Sequence, residues 1–465
     1  MDKPKPRIGL LPLYLKLYDD TMADRRPRID AFYAQIAAEL GKRGLTVLTS
    51  PICRVEREFE SAVRGFEEQG AEAIVTLHLA YSPSLESIDA LASTTLPIII
   101  CDTTPTYSFG PRQDPDEVMY NHGIHGVQDM CNLLIRRGKR FRIHVGHWQK
   151  SDVLDRVARD VSAACMVGRI RSLRVGLLGR PFKGMGDFSV PAAELRHQLG
   201  VEVRTLEARQ FARLVASVTE QELQAEREAD AGRFDFGKVS PEAYQRSARI
   251  GLAVQKWVDR EELGAFTVNF LDVNRDAGIP TVPFLQASKL MAAGVGYAGE
   301  GDVLTASLVA SLAAVYPDTS FTEMFCPDWQ NGTIFLSHMG ELNYRLVAGR
   351  PRLHEMEYQW SQADNPVYAA GRFRAGKVLF VNLAPLQSGF RLIVAPATML
   401  DSSGTDRMEK SVRGWFKPEI PMPDFLGRYS TIGGTHHLAV CYDADASVIE
   451  SFGRMMGWET EVIAR

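Results

Sequence analysis

Ala73-Ile-Val-Thr-Leu-His78 is a short apolar run set between two longer amphipathic segments, Val55–Gln69, closed by Gly70, and Leu85–Ala92. A run of that length predicts a strand, and apolar positions recurring at helical spacing predict helices packed against it. The alternation continues in both directions. Upstream lie a strand over Arg7–Leu13, a helix over Arg28–Arg43 and a strand over Leu45–Thr49. Downstream come a strand over Leu96–Cys101, a helix over His122–Arg137, a strand over Phe141–His147 and a helix around Val153–Met166. Such alternation predicts a parallel sheet with helices on both faces.

Leu173-Arg-Val-Gly-Leu-Leu-Gly179 starts a second α/β unit, with helices near Ala192–Leu199, Gln221–Ala231 and Pro241–Val258, a strand over Ala265–Phe270 and an apolar helix over Val303–Val315 that Asp302 can cap. Beyond about Asp318 the period shifts to two. Thr333–His338, Val367–Arg372, Lys377–Leu383, Phe390–Pro396 and His436–Cys441 read as strands separated by Gly, Pro, Asn and Asp. The expected fold class is therefore α/β: two doubly wound parallel-sheet domains, 1–170 and 171–318, followed by a β-rich, barrel-like domain over 319–465. A chain of 465 residues exceeds one ordinary core, and roughly two to four domains is the size expectation.

Charge is spread along the chain with a formal net of -4, which points to neither nucleic acid nor an anionic membrane as partner. Met1-Asp-Lys-Pro-Lys-Pro-Arg7 runs into the first strand without an apolar leader, and no later segment approaches the length of a membrane span, so a cytoplasmic protein is expected. Six cysteines stand singly with no Cys-x-x-Cys pair, which argues against a disulfide framework and predicts buried thiols. Asn331-Gly332-Thr333 reads as a hairpin turn.

Four residues carry candidate chemistry. Glu300 lies between Gly299 and Gly301 directly ahead of the 303–315 helix, where a carboxylate is either a helix-capping acid in a surface turn or a group that an ion can approach closely. Glu323, among Phe321, Met324 and Phe325, either turns to solvent or needs a buried partner. His338 ends an alternating strand, as a structural histidine or as a ligand. His436 and His437 follow the Gly433-Gly434 pair, and adjacent residues of a strand point to opposite faces, so one of them is expected to enter a given site. Two carboxylates and two imidazoles form a donor set that suits a divalent ion such as Mn²⁺. Gly184-Met-Gly-Asp187 lacks the spacing of a nucleotide loop, and no Gly-x-Ser-x-Gly elbow is present.

Several short strings in register are similar to one family. Thr76-Leu-His-Leu-Ala-Tyr-Ser-Pro83 resembles Leu-His-Thr-Phe-Ser-Pro, and Val145-Gly-His-Trp-Gln149 resembles Thr-Gly-His-Trp-Gln, of the L-arabinose isomerases within the L-fucose and L-arabinose isomerase group. Gly299-Glu-Gly-Asp302, Thr319-Ser-Phe-Thr-Glu323, Ser337-His-Met339 and Gly433-Gly-Thr-His-His437 follow in the family order. The resemblance implies a metal held by Glu300, Glu323, His338 and His437, with Mn²⁺ first and Co²⁺ or Mg²⁺ as other divalent cations. It implies that Glu300 and Glu323 move a proton between C1 and C2 of a pentose or hexose, an intramolecular hydride shift being the other route. It further implies pocket roles for Phe182, Phe270 and His436, and a His125 supplied by a neighbouring subunit. A homo-oligomer, hexamer or trimer, with sites at its interfaces follows. Where the family has Gly-Ser-Gln-His-Leu-Tyr-Gly, this chain has Leu13-Tyr-Leu-Lys-Leu-Tyr-Asp19. Leu15-Lys16 thus replaces a polar pair, and Lys16, or Arg180 and Lys183, would either meet an anionic sugar substituent or stand as solvated loop cations. The expected function is a metal-dependent aldose–ketose isomerase. Its alternatives are an epimerase on the same centre and a sugar-binding homologue without turnover.

Overall fold

In a computed structural model of the chain, residues 5–402 and 407–464 are described. Residues 1–4, part of the stretch read above for a leader, lie outside them. Contacts divide the chain into two units, Met1–Gly168 with Arg454–Gly457, and Arg169–Gly453 with Trp458–Arg465.

The first unit is built on a five-stranded sheet in the order Thr46–Thr49, Arg7–Leu13, Ala73–His78, Ile98–Asp102, Phe141–Val145, and every pairing is parallel. All six residues of Ala73–His78 are buried, as a strand covered on both faces requires. Leu11, Ile74, Ile98 and Ile100 of the sheet pack with Phe59, Phe66, Ile88 and Leu134 of the helices. Gly9 lets a helix come close, since a Cβ there would stand 2.3 Å from the Phe66 ring. Strand order reverses between Arg7–Leu13 and Ala73–His78, which opens a crevice at the carboxyl ends of those strands.

The second unit holds a parallel four-stranded sheet, Gly296–Gly299, Ala265–Val268, Arg174–Leu178 and Glu202–Leu206, and a larger, mainly antiparallel one. Within the latter, six strands close on themselves: Thr319–Asp328, Thr333–Ser337, Val412–Pro418, Phe390–Met399, Gly376–Pro385 and His437–Tyr442, the last pairing back to the first. The fold class is thus parallel-sheet α/β followed by an antiparallel barrel. Leu336, Phe380, Ile393, Phe416, Leu438 and Val440 belong to the barrel's core cluster. The helix Val303–Val315 joins the two sheets. Its residues 303–313 are all buried, and it touches strands of both sheets, which explains why it is apolar all round.

Element positions follow the sequence pattern closely where periodicity is strong, as at Arg7–Leu13, Ala73–His78, Ala192–Leu199 and Val303–Val315. The hairpin turn at Asn331-Gly332 is present, with Gly332 at φ 64°. Phe284–Ala292 is a helix the pattern did not reveal; it is only nine residues long and every residue is buried. Two further helices, Met422–Thr431 and Ala446–Met456, flank the barrel inside the stretch read as β-rich. The expectation of buried thiols fails at Cys326, which is exposed on the arm of the Thr319–Ser337 hairpin; Cys131 and Cys165 are half-buried, and all six cysteines are free. Among the described residues no helix is long and apolar enough to cross a membrane.

Candidate metal centre

The barrel register brings three of the four candidate ligands to one end. In the antiparallel ladders Glu323 stands directly opposite both His437 and Ser337, so His437 and His338 arrive from the two strands that flank it. Glu300 comes from the parallel sheet, in the turn between Gly296–Gly299 and the buried helix. Its φ of 65° lies in the left-handed region, followed by Gly301 at 81°. A non-glycine residue there is strained by about 1–2 kcal/mol, and the strain aims the carboxylate at the barrel end.

Glu300, Glu323, His436 and His437 each offer a donor atom, and these atoms lie within 4.8 Å of one another. His437 Nε2 is 2.9 Å from Glu323 Oε1 and 3.4 Å from Glu300 Oε2, while His436 Nε2 is 3.7 Å from Glu300 and 3.9 Å from Glu323. His338 Nε2 stands 3.6 Å from Glu323 Oε1. Both adjacent histidines therefore reach one site, against the expectation that strand alternation would admit one. The strand begins at His437, so His436 sits in the preceding loop and alternation does not govern it. Asp187 turns it inward, accepting from the His436 backbone N–H at 3.0 Å and pairing with Nδ1 at 2.7 Å.

Two buried carboxylates orient the other imidazoles. Asp302 Oδ2 accepts from His437 Nδ1 at 2.9 Å while its Oδ1 caps the helix through Thr305 N–H at 2.8 Å. Glu341 accepts from His338 Nδ1 (2.6 Å), the Gly340 N–H (2.8 Å) and the Tyr297 hydroxyl (2.7 Å). With Nδ1 engaged in each ring, Nε2 is the nitrogen turned toward the glutamates. Phe188 stacks on His437 at 4.8 Å, and the edge contacts of Phe321 hold His338 and His437. Gly299 leaves room for His338, whose Cε1 would lie 2.9 Å from a Cβ at that position.

The electrostatics favour a cation. Burial alone would raise Glu300, but the neighbouring His436 and His437 imidazoles outweigh it and hold the carboxyl down at about 2. Burial would lower His437, but Asp302, Glu300 and Glu323 together push it well above the ordinary histidine value. Glu300 Oε2 and His437 Nε2 are buried without a hydrogen bond of acceptable geometry. Two carboxylates and two imidazole nitrogens converging on one point form a donor set that fits a divalent cation.

Beside the centre lies a small cavity lined by Phe270, Phe284, Tyr297, Glu300, His338 and Tyr358, among others. Phe182 packs against Phe270 at 5.6 Å, and its N–H donates to the Glu300 carbonyl at 2.9 Å. Arg180, 86% exposed, reaches Asp272 at 3.3 Å, and Lys183 is exposed. In the first unit, Lys16 pairs with Asp20 at 2.5 Å on a short helix. There His125 opens the helix Ile124–Arg136, with its ring 6.0 Å from that of His122, which in turn contacts the Tyr18 hydroxyl at 3.0 Å. Asp187 and Glu341 escaped sequence reasoning, and Asp302 was visible only as a cap. The one local hint was the helix-like spacing of His338 and Glu341.

Residues 191–316 match the L-arabinose isomerase central domain, and residues 318–459 match the L-arabinose isomerase C-terminal domain. Relatives include L-arabinose isomerase 1 of Bacillus licheniformis, 26% identical over 88% of this chain and 84% of its own length. The L-arabinose isomerase of Geobacillus kaustophilus is 27% identical over 85% of this chain and 81% of its own. That of Shouchella clausii is 22% identical over 98% and 93%. The matched domains carry Glu300, Glu323, His338, His436 and His437, and with them the chain belongs to the L-arabinose isomerase family.

Proposed function

We propose that the protein is a divalent-metal-dependent aldose–ketose isomerase acting on a pentose or hexose, with Mn²⁺ as the preferred ion. The observation that carries this reading is the convergence of Glu300, Glu323 and the paired histidines within 4.8 Å at one end of the barrel. Bound there, the ion would supply polarisation of the two adjacent sugar oxygens, which acidifies the C2 proton. The chain's own groups do the rest. Glu300, ionised at any neutral pH, and Glu323 lie on one site, so that one carboxylate removes the C2 proton and the pair returns it to C1 through an enediol. Asp302 and Glu341 hold the imidazoles in the tautomer that leaves Nε2 free. Phe270, Phe284, Val268 and Val282 wall the cavity and limit the water that would compete for the abstracted proton. The crevice at the carboxyl ends of the first unit's strands carries Tyr18, His122 and His125. In a homo-oligomer His125 of a neighbouring copy would complete the sugar site, as the family resemblance implies.

Glu300→Gln and Glu323→Gln test the assignment. Each is expected to lower turnover at least about 10²-fold while leaving the unfolding midpoint within error. In D₂O the wild type is expected to place deuterium at C1 of the ketose and at C2 of the aldose. Retained turnover in either variant, or transfer without solvent exchange, would overturn the proton-shuttle mechanism.

A further inference from the structure

One polar group on the cavity wall has no role in the chemistry above. Tyr358 is 8% exposed, lines the same cavity as Glu300 and His338, and its hydroxyl is buried without a hydrogen bond. The nearby Ser361 hydroxyl donates to the Val273 carbonyl at 3.1 Å and accepts from the Ala363 N–H at 3.3 Å, and it makes no hydrogen bond of acceptable geometry to Tyr358. The ring is fixed from both sides, edge-on to Phe284 at 6.2 Å and to Trp360 at 5.3 Å. The loop that carries it is also pinned. The Tyr358 N–H donates to Asn365 at 3.1 Å, the Asp364 N–H to the Pro280 carbonyl at 2.6 Å, and the Thr281 hydroxyl to the Asp364 carbonyl at 2.9 Å. Tyr358 is therefore held in place rather than free to find a partner by rotating.

A buried hydroxyl without a well-formed hydrogen bond carries a penalty of about 1–3 kcal/mol. Its neighbours in the cavity are apolar or committed: Phe270, Phe284 and Val282 offer no partner, and the Tyr297 hydroxyl is spent on Glu341. No lysine or arginine is among the described residues that line the cavity, whereas two carboxylates, Glu300 and Glu341, are. We infer that Tyr358 reads one hydroxyl of a neutral monosaccharide, other than the pair at the reacting carbons, and that this wall selects against both the deoxy analogue and an anionic sugar. This inference rests on the isomerase reading and narrows its substrate class. A site built to hydrogen-bond a hydroxyl discriminates sharply against a ligand lacking it, because its own polar group stays unpaired.

The test compares the Mn²⁺-loaded full chain with Tyr358→Phe by calorimetric binding. The panel holds neutral aldopentoses and aldohexoses, their mono-deoxy analogues and the corresponding uronic acids. In the wild type, deoxygenation at one position is expected to weaken binding about tenfold, and Tyr358→Phe is expected to abolish that difference while matching the wild type on the deoxy sugar. Uronic acids are expected to bind more weakly than their parents. The unfolding midpoint of Tyr358→Phe is expected to be unchanged or higher, since a group without a partner is removed. Identical discrimination by both proteins, tighter binding of a uronic acid, a lowered midpoint, or no binding by any sugar would overturn the inference. Binding without turnover would instead overturn the isomerase reading and leave the role of Tyr358 to be decided by the same binding comparison.

Discussion

Asp302 serves two partners at once, and replacing it by Asn separates them. The residue is fully buried, accepting from Thr305 N–H at 2.8 Å and from His437 Nδ1 at 2.9 Å. In Asp302→Asn the side-chain oxygen still accepts from Thr305, so the helix cap, worth about 1 kcal/mol, is kept. The amide NH₂ now donates where a carboxylate oxygen accepted. His437 Nδ1 must then become the acceptor, its proton moves to Nε2, and Nε2 loses the lone pair it would offer a cation. Loss of such an outer partner lowers metal affinity about 10–100-fold, or about 1.4–2.8 kcal/mol. Asp302→Ala removes both interactions: the cap at about 1 kcal/mol and the acceptor for a buried N–H at about 1–3 kcal/mol, together about 2–4 kcal/mol of fold stability. Calorimetric titration with Mn²⁺ and urea unfolding in EDTA read the two quantities separately. Expected is a metal-binding defect in both variants with a stability defect confined to Asp302→Ala. Wild-type Mn²⁺ affinity in Asp302→Asn, or equal destabilisation of both variants, would refute the reasoning.

Gly299→Ala would place a Cβ 2.9 Å from His338 Cε1, and relieving that overlap is expected to cost about 1–3 kcal/mol and to weaken Mn²⁺ binding. An unchanged midpoint together with unchanged affinity would show that His338 can move aside without consequence. In the first unit, burial pushes the His78 imidazole down to about 3, and neither ring nitrogen has a hydrogen-bond partner. His78 stays neutral in the folded state while the unfolded chain takes up a proton below about 6.5, so its contribution is complete above that pH and is lost as pH falls toward 3. Urea midpoints between pH 7.5 and 5 are expected to fall more steeply in the wild type than in His78→Gln, the difference approaching about 1.4 kcal/mol per pH unit. Parallel profiles would count against it.

Much of this fold was legible in local pattern. The parallel sheets follow from apolar runs alternating with amphipathic helices, because each run must be covered on both faces. Asn331-Gly332 specified a hairpin, and Asp302 announced the start of Val303–Val315. Glu300 between glycines marked a strained turn, and the motif strings named Glu300, Glu323, His338 and His437 before any geometry was known. One short element was hidden: Phe284–Ala292 spans nine residues and is buried on every side, so no solvated face marks it.

Only the tertiary structure decided how the site is assembled. Strand register between distant segments is set by core packing, not by local sequence, and it is this register that lays Glu323 opposite His437 and closes the barrel through the pairing of Phe390–Met399 with Val412–Pro418. The point where the last barrel strand begins, one residue after His436, admits both histidines to the centre. Asp187, Glu341 and Tyr358 meet that centre through contacts made by loops, and loops carry no periodic signal that would place them there. Residue types and spacing thus determined which chemistry the chain can perform, whereas long-range packing determined which side chains stand within reach of one another to perform it.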